Sequence, residues 1–436
     1  MSIGLDDLEA LVGRALDEGA RAAEVLAIRG TGLEIELPPA GGPVERPTER
    51  DDLFVRVWVD GGRVGRMRGR YDQAEDLIGQ ALAATFQSPE SKVAGPMASI
   101  GGLASGLGTA DRRYRNLSSE DRLDVVMGAE RQVRAGDSRF RSSGFRYADS
   151  HTWRGLVNSR NLRLEEDATQ YRIEGAVEGA GLSLNAFLEA RSFASIASLP
   201  LGTSLVRRGA ALMAKGRTIP AGPVRVVLPP LPMARLVRLL GELFSPAQLL
   251  SEGCFLSLPE DDTPTMSAKF HIVDDGSRPG ALRTRMFDDR GVPPVPLTLI
   301  REGRVAARFL DPEAARLLDT RPTGHCWGDE LGPSNLLMRS GTRSLNALLT
   351  ELEGLSLRVD DLDVSGIDLR TGAVDLVVDG IVLDANKEVG AMRRVRLVGR
   401  LQDLLSNIVD IGNDTDRIGH VDAAGIIADG LELVLE

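Results

Sequence analysis

The chain has 436 residues, with 52 Lys plus Arg against 63 Asp plus Glu for a formal charge of −11, four histidines and two cysteines. At ~100–200 residues per domain this length suggests two or three domains, and 42% hydrophobic with 26% charged residues excludes wholesale disorder. Two cysteines exclude a disulfide scaffold and an all-cysteine zinc site and fit a reducing compartment; the acidic balance argues against nucleic-acid binding, and four histidines leave little material for a histidine-rich metal centre.

The first residues, Met1 to Asp7, carry no cationic stretch ahead of an apolar core, and no run approaches the ~18 apolar residues of a membrane span. A cytoplasmic protein without membrane contact is expected. Leu5, Leu8, Leu11, Val12, Ala15 and Leu16 recur at helical spacing, and Gly19 follows as a stop. Ala22 to Arg29, Leu33 to Leu37 and Leu53 to Val59 read as strands. Asp60-Gly61-Gly62 supplies a hairpin turn into Arg63 to Met67. A second amphipathic helix is predicted from Asp72 to Thr85. Residues 94–110, rich in Gly, Ala and Ser, lack the Gly-Lys-Ser/Thr ending of a phosphate loop and read as a surface loop.

Ser118-Ser119-Glu120-Asp121 opens a helix running to Arg134, with acids in the first turn. Five strands are then predicted as an antiparallel meander: Phe140 to Tyr147, His151 to Asn158, Asn161 to Ala168, Thr169 to Val177 and Leu182 to Ser192. Gly202 to Lys215 reads as a helix and Thr218 to Pro223 as a hinge, dividing the chain into regions 1–218 and 219–436. The second region opens with the strand Val224 to Leu228 and a helix from Pro232 to Phe244, whose stripe is Leu236, Leu239, Leu240 and Leu243. Short strands follow, with helices at Leu345 to Glu353 and Gln402 to Ile408. The fold class is α+β: an N-terminal two-layer α/β domain with antiparallel strands and a C-terminal mostly-β domain with a few packed helices.

Several catalytic templates are absent. There is no G-x-S-x-G elbow, no P-loop and no EF-hand loop. No histidine precedes a glutamate, and the closest two, His271 and His325, stand 54 positions apart, so no helix carries a histidine pair. His325-Cys326 is the one adjacent soft pair, but neighbouring residues rarely aim at one metal, and a nucleophile's base normally comes from elsewhere in the fold. Cys254 reads as a small buried hydrophobe. Asp274-Asp275 and Asp288-Asp289 border turn-type residues and read as solvated turn aspartates. The arginines, spread among acidic neighbours, read as solvated faces.

From Met286 onward the residues resemble a known family. Met286-Phe287-Asp288-Asp289-Arg290-Gly291-Val292-Pro293 is similar to the "fDdEGvp" signature of the TldD/PmbA family, once called modulators of DNA gyrase. Leu297 to Gly303, Ala314 to Leu317 with Pro322-Thr323-Gly324, Pro333 to Leu336, Gly366 to Gly372, Val398 to Leu401 and Asn407 to Asp414 resemble its further motifs in order. Arg290 stands where glutamate is usual, and Arg400 where asparagine is usual.

The resemblance implies a two-domain chain that dimerises and, in its active form, is a zinc metallopeptidase acting on unfolded or small peptides. The catalytic TldD type carries His-Glu-x-x-x-His on a helix of the second domain. Aligned by the preceding strand, that helix falls here at Met233 to Phe244, which holds no histidine and one carboxylate, Glu242. The resemblance thus implies the PmbA, or TldE, type: a non-catalytic subunit with no catalytic or metal residue and no cofactor of its own, zinc being expected in a TldD-type partner. Such a subunit would shape the cavity and bind the peptide as an added strand. Asp288, Asp289, Gly291, Gly324 and Asn335 are its candidate cavity or interface residues, with turn formation as their other reading. The alternative function is a standalone homodimer that binds peptides without cutting them. A third is a peptidase with chemistry relocated to Cys254 or His325-Cys326.

Overall fold

The computed structural model describes residues 3–91, 95–98, 103–249, 254–256 and 265–435. The first helix, α1 (Leu5–Asp17), buries Leu8, Leu11, Val12 and Ala15, the spaced positions of its sequence. Each large side chain removed from water there contributes ~1.5–3 kcal/mol. Helix α1 packs on a six-stranded antiparallel sheet of β1 (Ala22–Leu37), β2 (Val44–Trp58), β3 (Val64–Gly69), β4 (Arg141–Asn158), β5 (Arg163–Gly179) and β6 (Leu182–Ala190). The spatial order is β3-β2-β1-β4-β5-β6. The β2–β3 turn at 60–62 falls where Asp60-Gly61-Gly62 predicts it, with φ +78° and +68° at the two glycines.

The expected pairs of short strands are single long ones. Strand β1 runs unbroken through Gly30 and Gly32 because β2 and β4 pair with it on both sides. Those glycines mark close approach rather than a break: a Cβ at Gly32 would stand 2.0 Å from the Asp149 carbonyl oxygen. Strand β4 likewise continues through Asp149 and Ser150, and β5 through Ala168-Thr169, since each register partner is present.

Helices α2 (Ala74–Ala84) and α3 (Ser119–Arg134) cover this sheet. Ser118 caps α3, its Oγ accepting the Asp121 N–H at 3.0 Å while the Asp121 carboxylate accepts the Ser118 N–H at 3.0 Å. Ser118→Ala is expected to cost about 1 kcal/mol, read as a lower urea midpoint with faster amide exchange in the first turn of α3. Of the 94–110 stretch, residues 94 and 99–102 lie outside the described residues, and the rest forms no regular element up to Thr109.

Helices α4 (Phe193–Ala197) and α5 (Leu201–Ala211) lead to β7 (Gly222–Leu228) and α6 (Pro230–Gly241). A second sheet follows, in which strands 421–434, 387–400, 373–384, 355–358 and β7 pair successively and β7 returns to 421–434, closing a ring. Short helices lie at Leu345–Leu349, inside the predicted Leu345 to Glu353, and at Leu401–Ser406, one residue ahead of the predicted start at Gln402. The two halves share apolar packing: Val227, Ile381, Leu383 and Ile427 join one cluster with Tyr147, Ile173, Leu184 and Leu205. No helix among the described residues is long and apolar enough to cross a membrane.

Candidate functional site

Two polar regions lie where the N-terminal sheet meets the second half. The first is a buried ionic junction. Glu24 on β1 pairs in register with Arg56 on β2, and Arg154 on β4 with Glu166 on β5. Arg56 is 1% exposed. It donates to Glu24 Oε1 at 3.0 Å, to the Asp289 and Gly328 carbonyls at 3.0 and 2.7 Å, and to Asp329 Oδ1 at 3.1 Å. Arg154 bridges Glu166 and Asp289, while Arg290 grips Glu313 through both terminal nitrogens at 3.1 and 2.7 Å.

Asp274, Asp288 and Asp289 are therefore not solvated turn aspartates; they are 0%, 0% and 5% exposed. Asp288 folds the 288–292 turn by accepting the Arg290 and Val292 N–H groups at 2.9 Å each, and it also takes the Cys326 N–H at 3.0 Å. Nor are Arg56, Arg154, Arg285 and Arg290 solvated faces, since all four are buried. Such burial is tolerable because each guanidinium meets carboxylates or carbonyls that the sequence places far away.

Burial pushes the Asp289 carboxyl up, but Arg154 and Arg285 outweigh it and hold the group below its ordinary value. Glu313 is depressed in the same way, burial being outweighed by Arg290. Glu24 goes the other way, pushed up by burial against Arg290 and Arg56. A depressed carboxyl contributes stability that is present above the unfolded pKa, about 4, and lost as pH falls through its folded value. A raised one contributes below the unfolded pKa and loses it as pH rises. Asp289→Asn is accordingly expected to flatten the fall in melting temperature between about pH 5 and pH 3. A slope equal to that of the unaltered chain would contradict the assignment.

The five candidate positions gather at this junction and its flank. Asp288 and Asp289 organise it. Gly291, at φ +77°, lies where a Cβ would meet Leu162 Cδ2 at 2.6 Å. Gly324, at φ +76°, packs on Pro294. Asn335 accepts the Arg283 N–H and donates to the Asp275 carbonyl, both at 2.9 Å. His325 and Cys326 diverge. His325 Nε2 meets Asp274 Oδ1 at 3.0 Å with its ring stacked on Phe309, both groups being fully buried. The Cys326 thiol is pushed well up by burial and by Asp288, which disfavours a nucleophilic thiolate. Cys254 is buried, as a small hydrophobe should be.

The second region is a cavity of about 590 Å³ between β6, α5 and α6. Helix α6 follows Pro229 and buries Met233, Leu236, Val237 and Leu240. Its other face turns Arg235, Arg238 and Leu239 into the cavity, with Glu242 just beyond the helix end. Asp361 links Arg208 of α5, at 2.8 Å, to Arg235 of α6. Arg358 is held by Asp360 and Glu388, each at 2.8 Å. Among the described residues β6 pairs only with β5, and its Ser183, Leu184, Asn185 and Phe187 line this cavity. Arg208 donates to the Asn185 carbonyl at 3.0 Å.

None of the five candidate positions lines this cavity. Sequence reasoning found Leu236, Leu240 and Leu243 as buried, but Leu239, expected on the same stripe, turns to the cavity, and the cavity arginines were missed. The signal available was the spacing of Arg235, Arg238 and Glu242, which puts them on one helical face.

Residues 221–434 match the PmbA/TldA metallopeptidase C-terminal domain. The metalloprotease PmbA of Escherichia coli O157:H7 is 25% identical over 146 residues, 34% of this chain and 31% of that protein. The metalloprotease PmbA homolog of Buchnera aphidicola subsp. Baizongia pistaciae is 25% identical over 158 residues, 35% of this chain and 33% of its own length. The matched stretch thus spans about a third of either curated relative. The crystal structure of TldE from Thermococcus kodakarensis shares the fold at a TM-score of 0.82 and 17% identity, covering 98% of this chain and 99% of that one. A Bacteroides thetaiotaomicron protein described as a modulator of DNA gyrase does so at 0.85 and 19%, covering 99% of both. A C-terminal half that carries the family's domain, within a fold shared along the whole length, gives one conclusion: the chain belongs to the TldD/PmbA family.

Proposed function

We propose that this chain is a non-catalytic, TldE-type subunit of a zinc metallopeptidase complex that trims unfolded or small peptides. The observation that carries the reading is the cavity wall formed by Arg235, Arg238, Leu239 and Glu242. Zinc takes neutral imidazole, thiolate or carboxylate ligands. This wall offers one carboxylate beside two guanidiniums, whose charge opposes a divalent cation. The residues present do not fit zinc, and the metal is assigned to a TldD-type catalytic partner.

What this chain contributes is the edge of β6. An extended peptide laid along it would gain main-chain hydrogen bonds that depend little on sequence, with cavity side chains selecting among residues. Co-expression with a TldD-type protein carrying an intact His-Glu-x-x-x-His, followed by sizing and a casein cleavage assay, tests the reading. The expected result is a hetero-oligomer with activity that neither chain has alone. Separate elution, with peptide still bound by this chain, would replace the reading with that of a standalone homodimeric binder.

A further inference from the structure

Among the described residues, the α6 cavity holds one guanidinium that no acid answers. Arg208 and Arg235 share Asp361, and Arg358 has Asp360 and Glu388. The other wall aspartates are also engaged: Asp363 accepts the Ser365 N–H at 3.0 Å and Asp379 the Arg394 N–H at 2.7 Å. Arg238, three positions beyond Arg235, is exposed to the cavity and has no acidic partner among the described residues.

A second such cation adjoins the same end of α6. Gly241 packs against Leu336 and Pro333, where a Cβ would lie 2.7 and 3.3 Å from their side chains. The Pro333 carbonyl accepts Arg283 Nη1 at 2.9 Å, and the Arg283 guanidinium lies 5.4 Å from the Trp327 ring centre. The Leu336 N–H donates to the His420 carbonyl at 2.9 Å. His420 is buried with no partner for Nε2 among the described residues, and its pKa is pushed down to about 2 by burial, Arg283 and Arg238. That imidazole is neutral. Glu242 is the one carboxylate of the cavity wall without a hydrogen bond among the described residues. The lining as a whole carries four guanidiniums and five carboxylates, so the cavity is not cationic overall; what sets its α6 end apart is that Arg238 and Arg283 stand there without an acidic hydrogen-bond partner among the described residues.

We propose that the α6 end of this cavity is a carboxylate-binding position in which Arg238 supplies the forked pair of donors, receiving either the C-terminus or an acidic side chain of a bound peptide. This rests on the peptide-binding reading and deepens it. The planar guanidinium matches a carboxylate with two parallel N–H bonds, whereas a lysine offers only a point charge.

Binding of three labelled peptides of one apolar sequence to the full chain tests it: a free acid, its amide, and an amide with one glutamate introduced. The acid, the glutamate peptide or both should bind about tenfold tighter than the plain amide, and which of them does so identifies the source of the carboxylate. Arg238→Gln should bring the ratio close to one and Arg238→Lys should restore part of it. Arg112→Gln, outside this cavity, should leave the ratio intact. Equal affinities for all three peptides, or a ratio that survives Arg238→Gln, overturn the carboxylate position while leaving peptide binding in place. Binding of none of them overturns both.

Discussion

Replacing Arg56 by methionine is expected to lower the free energy of unfolding by about 3–5 kcal/mol. Arg56 is 1% exposed and its donors reach Glu24, Asp329 and the carbonyls of Asp289 and Gly328. Methionine fills much of the volume but leaves the Glu24 carboxylate with Arg290, at 3.4 Å, as its one remaining cation in the junction, beside the Asn158 side chain. The cost of a buried, half-answered charge then dominates over any gain in apolar packing. Total stabilities of about 5–15 kcal/mol make this a large fraction. The control is Arg21→Met: Arg21 pairs with Asp60 at 2.9 Å, but both side chains are open to water, so no resolvable change in the urea midpoint is expected. Equal shifts for the two variants would mean that the junction is not an energetic tie between sheet and second half.

Gly324→Ala is expected to destabilise the chain by about 2–5 kcal/mol. Its φ of +76° is costly for any residue with a side chain, and the new Cβ would lie 2.5 Å from Pro294 Cα and 2.8 Å from the Pro293 carbonyl oxygen. Backbone cannot rotate aside as a side chain can. Gly280→Ala separates the two causes, because Gly280 has φ +68° with nothing within 4 Å of the added atom. Its cost should be the strain alone, about 1–2 kcal/mol. If the two variants melt together, close packing at Gly324 contributes nothing. A clear difference places Gly324 among the residues whose close packing holds the Pro293-Pro294 segment.

Helices α1, α2, α3 and α6 were legible in the sequence because periodic apolar residues and local signals, such as the Ser118 box, decide them within a few positions, α6 beginning at Pro230 rather than at the expected Pro232. The length of β1 and β4 was not, since Gly30, Gly32 and Ser150 read as breaks until the strands on both sides are known. The buried charges were illegible for a related reason. Arg56 meets the Asp289 carbonyl 233 positions away, and Arg154 meets the Asp289 carboxylate 135 positions away. Local composition carries no trace of such pairs, so an arginine reads as a surface residue. Asp288, Asp289 and Gly291 were found through the family motif rather than through their chemistry. That motif led to the junction of the two halves. The cavity arginines fall outside it.

On the function proposed above, α6 presents arginine where a catalytic member of this family would hold zinc. The most direct measurement is zinc content, by elemental analysis, of the purified chain after exposure to excess zinc and dialysis, with peptide hydrolysis assayed on the same sample. The account predicts well under one zinc per chain and no hydrolysis by this chain alone. Stoichiometric zinc retained together with peptide cleavage, both lost on chelation, would contradict it.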